Sequence, residues 1–276
     1  MEPAGTEGAV RRVPRVRAPE FDFRSVPRHW LAGSALTTQM ANSVNLLFPT
    51  GERFFVRSVR HYLEALEDPA LREQVKGFFG QEGRHARAHE LFFDALRAQG
   101  YQIDGFLRVY DRVAWKELEP RMTPALRLAI TAALEHYTAI LAEGALRERV
   151  FDRVADKTMQ DLLKWHAAEE IEHRAVAFDV LQRVAPGYGT RAAGMVVATV
   201  GLAAFWLAAM VMLLRQDRAR GWRLDAHELK VWRLRPRSIV GGVFLRGMLQ
   251  YFRPGFHPSD NPMDVLAEGY LSEAGL

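Results

Sequence analysis

Two Glu-x-x-His units constrain what this chain can fold into more than any other feature. They run from Glu82 to His85 and from Glu170 to His173, each within a long stretch of helical hydrophobic periodicity. Residues three apart share one face of an α-helix, so each unit points a carboxylate and an imidazole the same way. Chance would supply such a unit on the order of once in a chain this rich in histidine. Two units, each near the middle of a separate predicted helix, indicate one shared site.

Helical periodicity dominates the sequence from about His29 to the Pro186-Gly187 pair. Asp68-Pro69 and Thr123-Pro124 are start signals for long helices, and Gly100 is a stop signal. Long helices are predicted from about residue 51 and at 69–99, 124–147 and 154–184, with a short one near 106–117. No segment up to residue 187 alternates as a strand would. The predicted fold is all-α, a ferritin-like four-helix bundle with a C-terminal hydrophobic helical extension.

Acidic and histidine side chains lie on the apolar stripes of all four long helices. Glu82 and His85 continue the stripe of Phe78 and Phe92, and the second unit lies on an equivalent stripe. Burying several unpaired carboxylates together would cost several kcal/mol each, unless cations neutralise them. The chain has no cysteine, so any metal must be held by oxygen and nitrogen. We therefore predict a site for two divalent metal ions with these ligands: Glu52, Glu82, His85, Glu135, Glu170 and His173.

Several details of this site stay open at the level of sequence. Glu169 lies four residues before His173 and could replace Glu170 as a ligand or serve as a catalytic base. His89 and His166 lie on the ligand stripes about one turn away, as outer partners of the ligands, extra ligands or core histidines. Carboxylate-rich ligation favours iron, with manganese or zinc as alternatives.

The segments around these residues resemble a known bacterial family. The stretches that carry the resemblance are FPTGERFF at 48–55, QEGRHA at 81–86, LEHYTA at 134–139, WHAAEEIEHR at 165–174 and GFHP at 255–258. Together they are similar to the proteins described as predicted metal-dependent hydrolases, over roughly residues 20–270. The resemblance implies hydrolytic activity, and each predicted ligand matches a motif of that family.

Composition divides the chain into three predicted parts. Residues 1–25 are rich in proline, glycine and arginine without periodicity, and are predicted to form a flexible N-terminal arm. Residues 26–187 form the di-metal bundle. Residues 188–276 form the hydrophobic, membrane-associating helices and the tail.

The C-terminal part contains a long uncharged segment at residues 192–214, which is long enough to cross a bilayer core. Four arginines follow it, at positions 215, 218, 220 and 223. A spanning segment would place the metal domain outside the cell by the positive-inside rule, yet residues 1–17 lack the apolar run of a secretory signal. We therefore expect a cytoplasmic protein that associates with the membrane through residues 192–214, as a monotopic segment or a re-entrant hairpin with 238–252. The alternative is a helix buried against the bundle or against a second subunit of a homodimer.

Three functions are compatible with the sequence. The first is an oxygen-activating di-iron oxidase or oxygenase that acts on a small apolar or lipid-like substrate. The second is a metal-dependent hydrolase, in which metal-bound water attacks an ester or phosphoester with Glu169 as base. The third is a metal-storage or structural bundle, which the long apolar segment disfavours because a soluble storage cage would not carry it. Nucleic-acid binding is not expected, because the net charge of +4 comes from dispersed arginines without a recognition motif.

Overall fold

Regular secondary structure in the computed structural model is helical throughout the residues it describes, 12–234 and 245–274. One isolated bridge joins Leu31 and Val154. The predicted all-α class is therefore confirmed. The α-helices are α1 (Ala35–Asn45), α2 (Phe48–Arg60), α3 (Pro69–Ala98), α4 (Asp104–Tyr110), α5 (Pro124–Arg147), α6 (Lys157–His173), α7 (Val176–Val184), α8 (Tyr188–Ala219), α9 (Ala226–Leu234), α10 (Leu245–Tyr251) and α11 (Asp264–Glu273). A π-helix (Asp111–Leu118) continues α4, and 3₁₀ helices occupy Phe23–Ser25, Leu63–Ala65, Glu119–Arg121, Val150–Arg153 and Pro258–Asp260.

Side-chain caps fix the starts of α3, α5 and α6, three of the four helices that carry the predicted ligands. The Asp68 carboxylate accepts from the backbone N–H of Ala70 at 2.9 Å, and the Asp156 carboxylate accepts from Met159 at 2.9 Å. Thr123 caps α5 in the same way through its hydroxyl. Each cap satisfies a backbone donor that the first turn of a helix leaves free. The predicted starts at Pro69 and Pro124 agree with the structure.

Helices α2, α3, α5 and α6 pack side by side, because α2 contacts α3 and α5, and α6 contacts the same two helices. Along α3, Phe78 belongs to one hydrophobic cluster and Phe92 to another. Leu162 on α6 belongs to the same cluster as Phe92, and Val176 at the start of α7 belongs to the same cluster as Phe78. The buried Glu and His residues of α3 and α6 lie between these positions. The Glu and His residues therefore form a polar layer between two apolar clusters.

The fourth predicted helix, 154–184, is two helices in the structure. Helix α6 ends at His173, and α7 begins at Val176. At the break, the guanidinium of Arg174 donates to the Ile171 carbonyl at 2.6 Å and to the Asp264 carboxylate at 2.9 Å. The side chain thus supplies a donor to one of the carbonyls that the end of α6 leaves free. As a result, the predicted ligand His173 is the last residue of a helix, whereas the sequence pattern predicts it near the middle of one.

Helix α8 contains the long uncharged segment. One face packs against α5 and α1 and buries Met195 and Leu213. The opposite face exposes the side chains of Val196, Val200, Leu207 and Val211. By length and composition alone α8 could cross a membrane, with a mean hydropathy of 2.3 over its most apolar window, of which 17% is buried. The core helix of a soluble protein can have the same length and apolar composition.

Two buried carboxylates attach the C-terminal helices to the rest of the chain. Asp217 on α8 accepts from the Tyr101 hydroxyl at 2.6 Å and from the Gln39 amide at 2.6 Å. Glu228 on α9 accepts from the backbone N–H of Ala35 at 2.9 Å and of Leu36 at 3.1 Å, at the start of α1. A carboxylate at this position also interacts favourably with the helix dipole. The division into three domains stays a prediction, as does the hairpin of 192–214 with 238–252, of which residues 238–244 lie outside the described residues.

Candidate metal centre

Two groups of buried side chains in the polar layer have the geometry to hold a metal ion. Within each group, the ligand atoms lie within 4.8 Å of one another. The first group is Glu52, His85 and His166, and the second is Glu82, Glu170 and His173. Five of the six predicted ligands thus fall into two groups, and His166 joins them.

Glu135 lies beside the second group, and Glu170 links the two groups. The carboxylate of Glu135 lies 3.2 Å from His173 Nε2, which is also 3.1 Å from Glu82. Glu170 Oε1 lies 2.7 Å from His166 Nε2 and 3.5 Å from His85 Nδ1, while its Oε2 lies 3.5 Å from His173 Nε2. Glu170 therefore contacts both groups, as a carboxylate that bridges two ions would.

Buried ligand atoms without a hydrogen-bond partner test whether the cluster fits metal ions. Atoms of this kind are both carboxylate oxygens of Glu52, Glu82 and Glu135, Oε2 of Glu170, Nδ1 of His85 and Nε2 of His173. Buried polar groups are normally paired, and an unpaired one costs free energy. These atoms belong to the residue types that bind divalent cations, and they converge in one layer. The residues present therefore fit two metal ions.

Without metal, the carboxylates and imidazoles shift one another's affinity for protons. Burial raises the pKa of Glu52 and Glu82 well above the ordinary value, and raises the pKa of Glu135 to about 7. Burial alone would lower the pKa of His85, but its hydrogen bond with Glu169 and the nearby carboxylate of Glu170 raise it to about 9. Protons thus supply part of the positive charge that the buried carboxylates require, and a metal ion would displace them.

Glu170 and His173 show the opposite shifts expected of a buried ion pair. Burial alone would raise the pKa of Glu170, but the charge of His173 and the hydrogen bonds from neighbouring imidazoles hold this pKa well below its usual range. Burial alone would lower the pKa of His173, but the charges of Glu135 and Glu170 raise it well above 6.5. Among the four carboxylates of the cluster, Glu170 is therefore the one whose ionised form its neighbours favour most.

Partners outside the cluster orient the imidazoles of His85 and His173. His85 Nε2 lies 2.9 Å from Glu169 Oε2, and His173 Nδ1 lies 2.9 Å from Gln81 Oε1. When these nitrogens donate their N–H outward, the other ring nitrogens carry the lone pairs that face the cluster. Gln81 was not among the predicted site residues. Its place one residue before the first Glu-x-x-His unit was the available signal.

The structure places Glu169 on the outer side of His85. One of its oxygens faces His85, and the other accepts from the Arg17 guanidinium at 3.1 Å. Glu170, its neighbour on α6, directs its oxygens into the cluster. Glu169 as a catalytic base stays a prediction, but its two oxygens are already engaged.

His89 and His166 form a pair beside the first group. His89 Nε2 lies 2.7 Å from His166 Nδ1, so His166 is free to direct Nε2 towards Glu170 and Glu52. Burial lowers the pKa of His166 to about 4 and that of His89 well below 6.5. Both therefore stay neutral at neutral pH, the form in which imidazole binds metal. The partly exposed Phe48 ring packs on both histidines, with centroids 4.7 and 4.6 Å away.

Comparison with known proteins identifies one family. A family model described as predicted metal-dependent hydrolase matches residues 15–262, which confirms the resemblance inferred from the motifs. Neither the curated proteins nor the solved structures gave a match. The matched span includes every residue of the two groups.

Proposed function

The chain belongs to the family of predicted metal-dependent hydrolases, and on this basis we propose that it is a dinuclear metal enzyme that hydrolyses an ester or phosphoester. The observation that carries the proposal is the pair of adjacent buried ligand groups, joined by Glu170, within the matched span. A pair of divalent ions supplies Lewis acidity and lowers the pKa of bound water, which is the chemistry that hydrolysis requires.

The residues of the chain hold, orient and enclose the reacting groups. Most ligand side chains are fully buried, which excludes bulk water and strengthens electrostatic interactions within the layer. His166 and Glu170 keep slight exposure, at 4% each, and Phe48 lies against His166. We infer that the substrate approaches along this edge, past Phe48. The participation of His166 gives three imidazoles in all, a donor set that suits zinc as well as iron.

If the protein is a hydrolase, its turnover of substrate should require metal but not oxygen. We expect the zinc-loaded protein, assayed without oxygen, to release nitrophenol from nitrophenyl acyl esters or phosphodiesters at rates well above those of the chelator-treated protein. The acyl chain length of the best ester reports whether the substrate is apolar. Glu170→Gln serves as the site control, and its activity should fall with its metal content. Absence of turnover with every ester, phosphoester and divalent metal would exclude the proposal.

A second candidate function is oxygen activation by a di-iron centre. The observation that favours it is the set of four carboxylates and two histidines contributed by α2, α3, α5 and α6, which is the ligand inventory of ferritin-like di-iron bundles. Loading with ferrous iron under nitrogen, followed by air, distinguishes the two candidates. Oxygen uptake with appearance of di-ferric absorption, and no ester turnover, would establish the oxidative function instead.

We also propose that the exposed face of α8 lies on an anionic membrane surface in the cytoplasm. Its uncovered valines and leucine form one apolar stripe, and exposed arginines follow at the C-terminal end of the helix, among them Arg215, Arg218 and Arg220. An apolar stripe that ends in cationic side chains matches the interface of a bilayer with anionic headgroups. This placement would bring a lipid-like ester close to the enzyme.

Vesicle binding tests the membrane proposal. We expect the protein to float with phosphatidylcholine vesicles that contain phosphatidylserine, and Val200→Glu to abolish most of the binding, because Val200 is 65% exposed in the stripe. The matched control is Val265→Glu on α11, where the same residue type is even more exposed, at 82%, and this variant should bind as the native protein does. If the native protein instead stays in solution as a dimer that Val200→Glu dissociates, the face is an interface between two copies.

A further inference from the structure

An arginine from the N-terminal arm reaches the back of one ligating histidine. The guanidinium of Arg17 donates to Glu169 Oε1 at 3.1 Å, and Glu169 Oε2 lies 2.9 Å from His85 Nε2. Glu169 is fully buried, and the Arg17 side chain is only 9% exposed. Arg17 is therefore connected to His85 through a single carboxylate.

The same guanidinium is connected to the other ligating histidine by a second route. Arg17 donates to both oxygens of Glu172, at 2.7 and 2.9 Å. Glu172 in turn accepts from the Gln81 amide at 2.8 Å, and Gln81 Oε1 lies 2.9 Å from His173 Nδ1. Because the amide nitrogen of Gln81 is held by Glu172, its oxygen is the atom that faces His173. We call Arg17, Gln81, Glu169 and Glu172 the outer network.

The segment that carries Arg17 is seated closely on α3. A Cβ atom added at Gly77 would lie 2.4 Å from the Pro14 carbonyl oxygen, and one added at Gly80 would lie 2.3 Å from Val16. Only glycine permits so close an approach. Residues 12–17, the N-terminal strap, are further held through backbone carbonyls, which accept from the side chains of Gln74 at 3.2 Å and Gln81 at 3.1 Å.

We propose that Arg17 is a positioning residue of the metal centre and that the N-terminal strap is the part of the fold that delivers it. The proposal rests on the metal centre proposed above. Arg17 holds Glu169 and Gln81 in the orientations in which each accepts an imidazole N–H. Both histidines then direct their unprotonated nitrogens, His85 Nδ1 and His173 Nε2, into the cluster. Outer partners of this kind commonly change metal affinity by 10- to 100-fold.

Titration with cobalt(II) tests this role, with Arg17→Gln against Arg15→Gln in the full-length chain. Arg15 is exposed on the same strap, and the substitution keeps the backbone carbonyl that Gln81 and Arg17 bind. We expect Arg17→Gln to weaken cobalt binding about 10- to 100-fold and to change the visible absorption of the saturated protein. Arg15→Gln should match the native protein in both respects.

The Arg17→Lys variant and a check of folding by circular dichroism complete the test. Arg17→Lys keeps the charge but loses the forked geometry, so we expect an affinity between those of the native and Arg17→Gln proteins. If Arg17→Gln does not fold by circular dichroism, Arg17→Lys decides, and native affinity and absorption in that variant would overturn the proposal. Equal affinities for Arg17→Gln and Arg15→Gln would overturn it as well. If the native protein itself binds no metal, the proposed function fails before the role of Arg17 is reached.

Discussion

Replacing Glu170 by glutamine is expected to remove most of the bound metal from both groups. The substitution keeps the size of the side chain but removes the charge of the carboxylate that contacts His166, His85 and His173. Since outer partners of metal ligands alone contribute 10- to 100-fold, we expect loss of a carboxylate that contacts both groups to weaken binding by at least about 100-fold. Metal analysis after gel filtration and calorimetric titration measure the effect.

The matched control for this variant is Asp161→Asn on the same helix. Asp161 is a partly exposed carboxylate paired with Lys157, so its loss should leave metal content unchanged. Circular dichroism establishes that both variants are folded. If Glu170→Gln retains as much metal per chain as the native protein, the assignment of Glu170 is wrong, and Glu169→Gln becomes the variant to measure.

Removing the metal is expected to lower the thermal stability of the protein substantially. Metal that binds only the folded state at a free concentration about 1,000 times its Kd contributes about 4 kcal/mol. For a chain of this size this contribution corresponds to a fall in Tm of roughly 8 to 16 °C after chelation. Calorimetry of the loaded and chelator-treated protein measures the difference. An unchanged Tm in protein that had bound metal would mean that the cluster does not need cations for its stability.

The loss of stability should also depend on pH, with a sign that the pKa shifts determine. Charged and hydrogen-bonding partners raise the pKa of His85 from 6.5 to about 9 in the metal-free fold, and the pKa of His173 is raised as well. A raised folded-state pKa stabilises the fold at low pH, and this stability is lost as pH rises through the folded pKa. The pKa values of His89 and His166 are lowered, so these two groups change the stability of the fold only below about pH 6.5.

We therefore expect the Tm of the metal-free protein to fall between about pH 7 and 9, and the Tm of the loaded protein to change less. Unfolding scans at three pH values in this range provide the measurement. A His85→Gln variant should show a shallower decline without metal, because it has lost one of the groups that release a proton. A steeper decline in the loaded protein would contradict the assignment.

The convergence of the buried Glu and His side chains could be predicted from sequence, because the spacing of residues along a helix determines the direction of their side chains. Glu82 and His85 lie three residues apart on an apolar stripe, and the structure directs both into the polar layer. The same logic located Glu52 and Glu135, although each occurs without a histidine partner three residues away. Their burial follows from the period of the neighbouring apolar residues alone.

Other parts of the site depend on tertiary contacts that no local pattern contains. Arg17 belongs to a segment without periodicity, and its partners follow more than 150 residues later. Helix α1 buries polar side chains such as Gln39 and Asn42, so it lacks the apolar stripe by which an amphipathic helix is recognised. The break after His173 depends on Arg174 and its partner Asp264, which the linear sequence does not bring together.

The carboxylate of Glu228 has a consequence for how the chain can be divided experimentally. It supplies hydrogen-bond acceptors to the first turn of α1, and α8 covers one side of α1 and α5. A recombinant fragment that stops at residue 187 would retain every candidate ligand but leave that first turn and the covered surface bare. Such a fragment should be recovered mainly as aggregate, so studies of the metal site are best made on a polypeptide that extends beyond α9.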